Sequence, residues 1–400
     1  MWAALAPRRS AEMVTQGPLD TFSLESMMDI GLFVVPFRAP QTDLRAGFEW
    51  DMQCIRWAEE FGLSEVWVAE HSTMRWEPVC SPELYLAAAA MQTSRIKLAT
   101  GANVPANHNP VALAHRLMQL DMMTGGRLMV GIGAGAYPSD HKVHGNSNPN
   151  EMMREAVDIM KAVWEKKGPL EYRGKFWSFE IPAYDEVQQG PFMEPYQKPH
   201  PPLAMAGLSP ASKTLTQAGK LGYIPMSFNV GREYLAGHWY RYMQGAESAD
   251  NVADRNQWRI AHNILVADTD EEAMDLAVNG AMGQAYREWM LPGYERGGFL
   301  PVMVPELDVQ TAKDVPIEYL AREKWLVGSP DTVVKKLQRD LEASGGFGTV
   351  ITFTFDYLDQ AARYRRHFEL LGTEVLPRIK DLKFRTETLA ELKRPVDVKD

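Results

Sequence analysis

The chain has 400 residues, 45% hydrophobic and 24% charged, an ordinary globular composition long enough for one large barrel or two smaller domains. Its 42 basic residues against 52 acidic ones leave a net charge of -10, and no Lys/Arg cluster carries interleaved aromatics, which argues against nucleic acid and acidic membranes as partners. With only Cys54 and Cys80 present, neither a disulfide framework nor a cysteine zinc site is available, and a reducing cytoplasm fits.

Residues 1–27 hold Arg8-Arg9 but no apolar run of signal-peptide length, so a loosely ordered extension is expected there. Residues 28–35 read as a buried strand ended by Pro36, and 48–61 as an amphipathic helix stopped by Gly62. The second strand, 65–69, delivers Glu70-His71-Ser72 at its end, and its helix, 82–92, opens at Ser81-Pro82-Glu83. A third strand over 96–102 leads through a loop to a helix over 110–123. Gly125-Gly126 then turns the chain into a fourth strand, 127–133, with helical periodicity returning only near Asn150. Residues 170–179 stand outside the alternation as a hairpin turned at Gly174.

Four more strands follow, over 203–206, 223–227, 259–267 and 349–355, with helices over 211–221, 232–246 and 359–371. Eight strands alternating with helices predict an α/β fold, a closed (β/α)8 TIM barrel. One barrel domain over 28–380, with a charged tail over 381–400, is the expected organisation. Between strands seven and eight, the glycine- and proline-rich stretch 291–301 is predicted to be a mobile lid, because its apolar side chains would be wasted on solvent.

Parallel barrels carry their sites at the carboxyl ends of the strands, so His71 is a candidate by position, against the competing reading of a polar strand cap. Glu70 beside it is expected to support the ring. After strand four, Gly131-Ile132-Gly133-Ala134-Gly135-Ala136 meets the dinucleotide fingerprint in letters only, since Tyr137-Pro138-Ser139-Asp140 follows where a helix should open. Those glycines are better suited to bringing a flat ligand close to the backbone. After strand five, Gly207, Ser209 and Ser212 cluster at a helix start, which serves either a phosphate or a plain serine N-cap. His108, His141 and His144 lack strand-end carboxylates at metal spacing, so no metal is expected.

Several stretches then act together: Ala69-Glu70-His71-Ser72, Leu98-Ala99-Thr100-Gly101-Ala102, Gly125-Gly126-Arg127-Leu128 and Lys198-Pro199-His200-Pro201-Pro202. With Gly207-Leu208-Ser209, Val327-Gly328-Ser329-Pro330-Asp331 and Gly345-Gly346-Phe347-Gly348-Thr349, they make the chain resemble the bacterial luciferase-like flavin-dependent monooxygenases. The diketocamphane and limonene monooxygenase type is the nearest likeness.

The resemblance implies reduced FMN supplied by a separate NAD(P)H:flavin reductase, O2 activation as a C4a-peroxyflavin, and oxygenation of a small hydrophobic substrate such as a cyclic ketone or terpene. It also implies a homodimer. His71 falls where the family keeps a catalytic acid/base, which a neutral imidazole would serve by taking a proton and returning it. Gly101-Ala102 falls at a cis peptide under the flavin, with Gly133, Tyr137 and Asp140 near the ring system. Gly207, Ser209 and Ser212 fall at the phosphate. Gly133 and Ala134 replace the Cys and Arg of some luciferases, so aldehyde bioluminescence is not expected. A deazaflavin-dependent oxidoreductase and a non-catalytic flavin-binding subunit are the alternatives. The expected pocket wall is Phe33, Phe37, Trp76, Phe228, Phe299, Leu300 and Tyr357.

Overall fold

The computed structural model describes residues 28–392 apart from 166–168, 184–192, 210, 230, 381, 383 and 386–388. The expected extension over 1–27 and most of the tail over 381–400 therefore lie outside the described residues.

The strands are β1 (Asp29–Phe37), β2 (Glu65–Val68), β3 (Lys97–Asn103) and β4 (Leu128–Ile132), the hairpin β5 (Leu170–Arg173) and β6 (Ser178–Ile181), then β7 (Leu203–Gly207) and β8 (Ile224–Phe228). They continue with β9 (Arg259–His262), β10 (Ile264–Val266), β11 (Leu326–Gly328) and β12 (Thr349–Phe355). Eight of them close a barrel in the order β1-β12-β9-β8-β7-β4-β3-β2, so the predicted (β/α)8 architecture is the one observed. Strands between helices and a filled barrel bury both faces, which is why β2, β4 and β12 read as unbroken buried runs. The first helix, Leu44–Glu60, starts four residues ahead of its expected position because the Asp43 carboxylate accepts from the Ala46 amide at 2.7 Å. The helix Pro110–Thr124 is capped by Asn109 and ended by Gly125 in the left-handed region at φ 63°.

Five local expectations are corrected. β1 does not stop at Pro36 but runs to Phe37, and its register with β12 shifts between Phe33 and Phe37, an irregularity that accommodates a residue without an N–H. The strand expected over 259–267 breaks at Asn263. β9 stays in the barrel, while β10 leaves it to pair in parallel with β11, a strand absent from the sequence reading. A short helix, Pro138–His144, precedes the one at Pro149–Glu165, with proline at its start and Gly145 at φ 70° behind it. The stretch 291–301 is not an open loop: it folds into helical turns, Leu291–Arg296 and Leu300–Met303, with Leu291 and Leu300 buried. The last helix continues beyond residue 371 to Ile379, and the Lys380 carbonyl accepts from the Met28 amide at 3.3 Å to close the ring against β1. Among the described residues no helix is long and apolar enough to cross a membrane.

Candidate active site

The carboxyl ends of the barrel strands open on one cavity of about 550 Å³. Its apolar wall is a stack of phenylalanines from three strands, with Phe33 and Phe228 both packed on Phe353 at centroid distances of 5.5 and 6.1 Å. Phe33, Phe37, Phe228 and Phe299 line it as expected; the other three expected wall residues do not. Trp76 faces a neighbouring cavity beside Arg287 and Asp356, and Leu300 belongs to the core. Tyr357 is fully buried, its hydroxyl donating to the Leu276 carbonyl at 2.8 Å and accepting from the Met282 amide at 3.2 Å.

β2 ends in an apolar strand, and the loop beyond it folds back so that the His71 amide donates to the Val79 carbonyl at 2.6 Å. This path brings Glu77 to the ring: His71 Nε2 lies 3.0 Å from Glu77 Oε2, and Nδ1 lies 3.6 Å from Asp140 Oδ2. Asp140 arrives from the Pro138–His144 helix, its Oδ1 accepting from the Ser72 amide at 3.2 Å and the Thr73 hydroxyl at 2.6 Å. Tyr137 meets the imidazole edge-on at 5.1 Å.

Burial disfavours the charged ring, but the hydrogen bonds to Asp140 and Glu77 and the charge of both carboxylates outweigh it and lift the His71 pKa to about 9. At neutral pH the ring is an imidazolium, which revises the expectation of a neutral base. Burial also works against the Asp140 carboxylate, yet its hydrogen bonds from His71 and Thr73 hold it below the ordinary carboxylate range.

Glu70 does not support His71. Neighbouring residues at a strand end point to opposite faces, and Glu70 is turned to Asn103 Nδ2, the Val104 amide, Asn107 Nδ2 and His108 Nε2 at 3.0–3.1 Å. Glu77 was missed because no motif marks it. The available signal was a lone acid in the apolar run Trp76-Glu77-Pro78-Val79, which must find partners if buried.

On the neighbouring strand β3 the Gly101-Ala102 peptide is cis, as expected from the resemblance. A Cβ on Gly101 would stand 3.0 Å from Trp67 Cβ and 3.1 Å from Phe33 Cε2, and one on Gly131 only 2.3 Å from the Thr100 carbonyl oxygen. Gly133 is less crowded, its virtual Cβ lying 3.6 Å from Ala102 Cβ, so a side chain there would project into cavity space. Gly207, Ser209, Ser212 and Thr214 line the far end. Ser212 is buried and caps the helix Lys213–Leu221, its Oγ accepting from the Leu215 amide at 3.4 Å. That hydroxyl still has its own proton to donate, so the cap and phosphate readings are compatible. Ser209 is exposed, and its carbonyl accepts from His238 Nε2 at 2.7 Å, a ring that burial lowers to a pKa of about 4 and keeps neutral.

Tyr137 lines the cavity, whereas Asp140 stands behind His71 and reaches the cavity only through it. Among the described residues no group of three or more His, Cys, Asp or Glu could hold a metal ion. His108 is engaged by Glu70, and His144 Nε2 by the Ser72 hydroxyl at 2.8 Å.

Residues 28–346 match the family described as luciferase-like monooxygenase. The chain is 32% identical over 373 residues to 3,6-diketocamphane 1,6-monooxygenase of Pseudomonas putida, with 88% of this chain and 98% of that one covered. It is 28% identical over 365 residues to limonene 1,2-monooxygenase of Rhodococcus erythropolis, covering 88% and 86%. A solved structure of the oxygenating constituent of Pseudomonas putida 3,6-diketocamphane monooxygenase, a type II Baeyer-Villiger monooxygenase in complex with FMN, is similar at a TM-score of 0.83 and 33% identity, covering 88% and 98%. On these matches, which span nearly the whole barrel, the chain belongs to the luciferase-like monooxygenase family.

Proposed function

We propose that this protein is the oxygenating component of a two-component monooxygenase, which uses reduced FMN and O2 to insert one oxygen atom into a small hydrophobic substrate such as a cyclic ketone or terpene. The observation that carries the reading is the meeting, in one apolar cavity, of an imidazolium held by two carboxylates, a glycine-walled strand end and a serine-capped helix start. In this reading residues 28–380 act as one barrel domain in the cytoplasm. A separate NAD(P)H:flavin reductase supplies the reduced flavin, in keeping with a relative named as an oxygenating constituent. The homodimer rests on family likeness alone.

The residues fit FMN in size, shape and charge. A flat ring system needs close backbone approach, which Gly101, Ala102 and Gly133 permit. A phosphate needs amide and hydroxyl donors at a positive helix end, which Gly207, Ser209, Ser212 and the start of Lys213–Leu221 offer. Bound reduced FMN supplies the electrons that send one oxygen atom of O2 to water and the other to substrate. His71, charged at neutral pH, serves as the proton donor and the positive charge facing that chemistry. Of its two ring nitrogens, Nδ1 faces Asp140 at 3.6 Å and Nε2 faces Glu77, which also lines the cavity, at 3.0 Å. Tyr137 orients the ring, and Asp140 holds its charge from behind. The phenylalanine wall and Phe299 exclude water and favour an apolar substrate.

The test is product analysis after mixing the protein with chemically reduced FMN, O2 and a panel of cyclic ketones and terpenes. An oxygenated product labelled from 18O2 is expected. Turnover that proceeds without O2, with hydride transfer from a reduced deazaflavin, would replace this reading by the deazaflavin one.

A further inference from the structure

We propose that Trp289 and Glu77 are positioning residues that couple the seating of the helical segment after β10 to the charge on His71. Glu77 divides its carboxylate between two sides. Oε2 meets His71 Nε2 at 3.0 Å, while Oε1 accepts from the Trp289 indole N–H at 2.6 Å and from the Tyr137 hydroxyl at 3.4 Å. Trp289 sits in the helical turn Tyr286–Met290, 212 residues away in sequence, and its ring also packs on Tyr137 at 6.3 Å.

The same segment is tied down on both sides of Trp289. Asn263 Nδ2, at the break between β9 and β10, donates to the Tyr286 hydroxyl at 2.5 Å, Tyr286 and Tyr294 hydrogen-bond each other, and Leu291 is buried. Tyr294 and Phe299 then line the cavity. A segment seated in this way places an N–H donor on Glu77 and fixes which carboxylate oxygen is left for His71.

The direction of the effect follows from how the Glu77 charge is divided. The indole N–H draws charge to Oε1 and weakens the pull of Oε2 on the imidazolium; removing it leaves more of that charge facing His71 and raises the pH at which the ring loses its proton. The other ionisable groups facing this pair are Asp140 from the Pro138–His144 helix and Tyr137 from the turn before it. Tyr294 and Arg296 approach from the segment itself, and Cys80, in the His71 loop, feels Asp140. Of these groups Tyr137 packs on the Trp289 ring, so Trp289→Phe keeps an aromatic ring there while removing the indole N–H.

This inference rests on the reading of His71 as the proton donor of the cavity, but its test needs no flavin. Histidine ring 15N signals of the flavin-free protein are followed against pH in the parent, Glu77→Gln and Trp289→Phe, with His71→Asn identifying the signal. Glu77→Gln should lower the His71 midpoint by about one unit or more, whereas Trp289→Phe should raise it by about half a unit. In the parent, the indole N–H signal absent from Trp289→Phe should shift with the same midpoint as His71; this measurement decides if the variant fails to fold. A His71 midpoint unmoved in Trp289→Phe, or an indole signal that ignores the His71 titration, overturns the coupling. Titrations that behave as stated in a protein that makes no oxygenated product would overturn the monooxygenase reading and leave this one standing.

Discussion

Raising the pH of the flavin-free protein from about 6 to about 10 should remove the His71 contribution to folding stability. The His71 pKa is raised from 6.5 to about 9 in the folded protein. A group with a raised folded pKa stabilises fully below its unfolded pKa and loses that contribution as the pH climbs through the folded one. At about 1.4 kcal/mol per unit the gap corresponds to about 3 kcal/mol, and the side chain is only 17% exposed, so solvent screening removes little of it. Asp140 has the opposite sign, since its carboxyl lies below its ordinary value; its part of the contact is lost in acid, outside this window. Urea unfolding followed by circular dichroism, at half-unit steps of pH in the parent and in His71→Asn, isolates the term as a difference, because the other titrations are common to both. The difference should shrink by about 3 kcal/mol between about pH 6.5 and about pH 9.5. If it stays constant within about 1 kcal/mol, the carboxylates do not hold a charge on His71 and the ion-pair reasoning is wrong.

Replacing His71 by Asn should leave FMN binding within a few-fold and cut oxygenation by about 10²-fold, the scale of a lost acid/base group. Parent turnover should hold from neutral pH to about 8 and fall with an apparent pKa near 9; an activity that peaks on the basic side would reverse the protonation state assigned here. Changing Ser209 and Ser212 together to Ala should weaken reduced FMN by about 1–3 kcal/mol in titration calorimetry and hardly affect riboflavin. Loss of the Ser212 cap on Leu215 should also cost about 1 kcal/mol in thermal unfolding, and equal weakening of both ligands would remove the serines from the phosphate. Phe299→Ala should raise the ratio of H2O2 to oxygenated product with the fold intact, because Leu291 and Leu300, not Phe299, anchor the segment. An unchanged ratio would mean that Phe299 does not keep water from the reaction.

Alternation of apolar strands with amphipathic helices is a local pattern, and it was enough to predict eight barrel strands, the hairpin β5–β6 and a histidine at the mouth of β2. The serine and glycine cluster ahead of Lys213–Leu221 was legible for the same reason, since a helix start is written in adjacent residues. Other features depended on where distant backbone goes. β10 is wholly apolar and β9 carries Arg259 and His262, yet β9 stays in the barrel and β10 leaves it to pair with β11. Residues 291–301 carry the glycines and prolines of a loop, yet burial of Leu291 and Leu300 overrides that local preference and makes helical turns.

The electrostatics of the site were the least legible, because charge depends on approach in space. Glu70 is adjacent to His71 and turns away from it, whereas Glu77 and Asp140 meet its ring from a folded-back loop and a short helix, and Trp289 reaches Glu77 from a segment more than two hundred residues away. The sequence by itself determined the barrel and put a histidine at its mouth; only the tertiary structure decided that the histidine is charged, since that follows from two carboxylates brought within 3.0 and 3.6 Å of its ring nitrogens in a site largely closed to water.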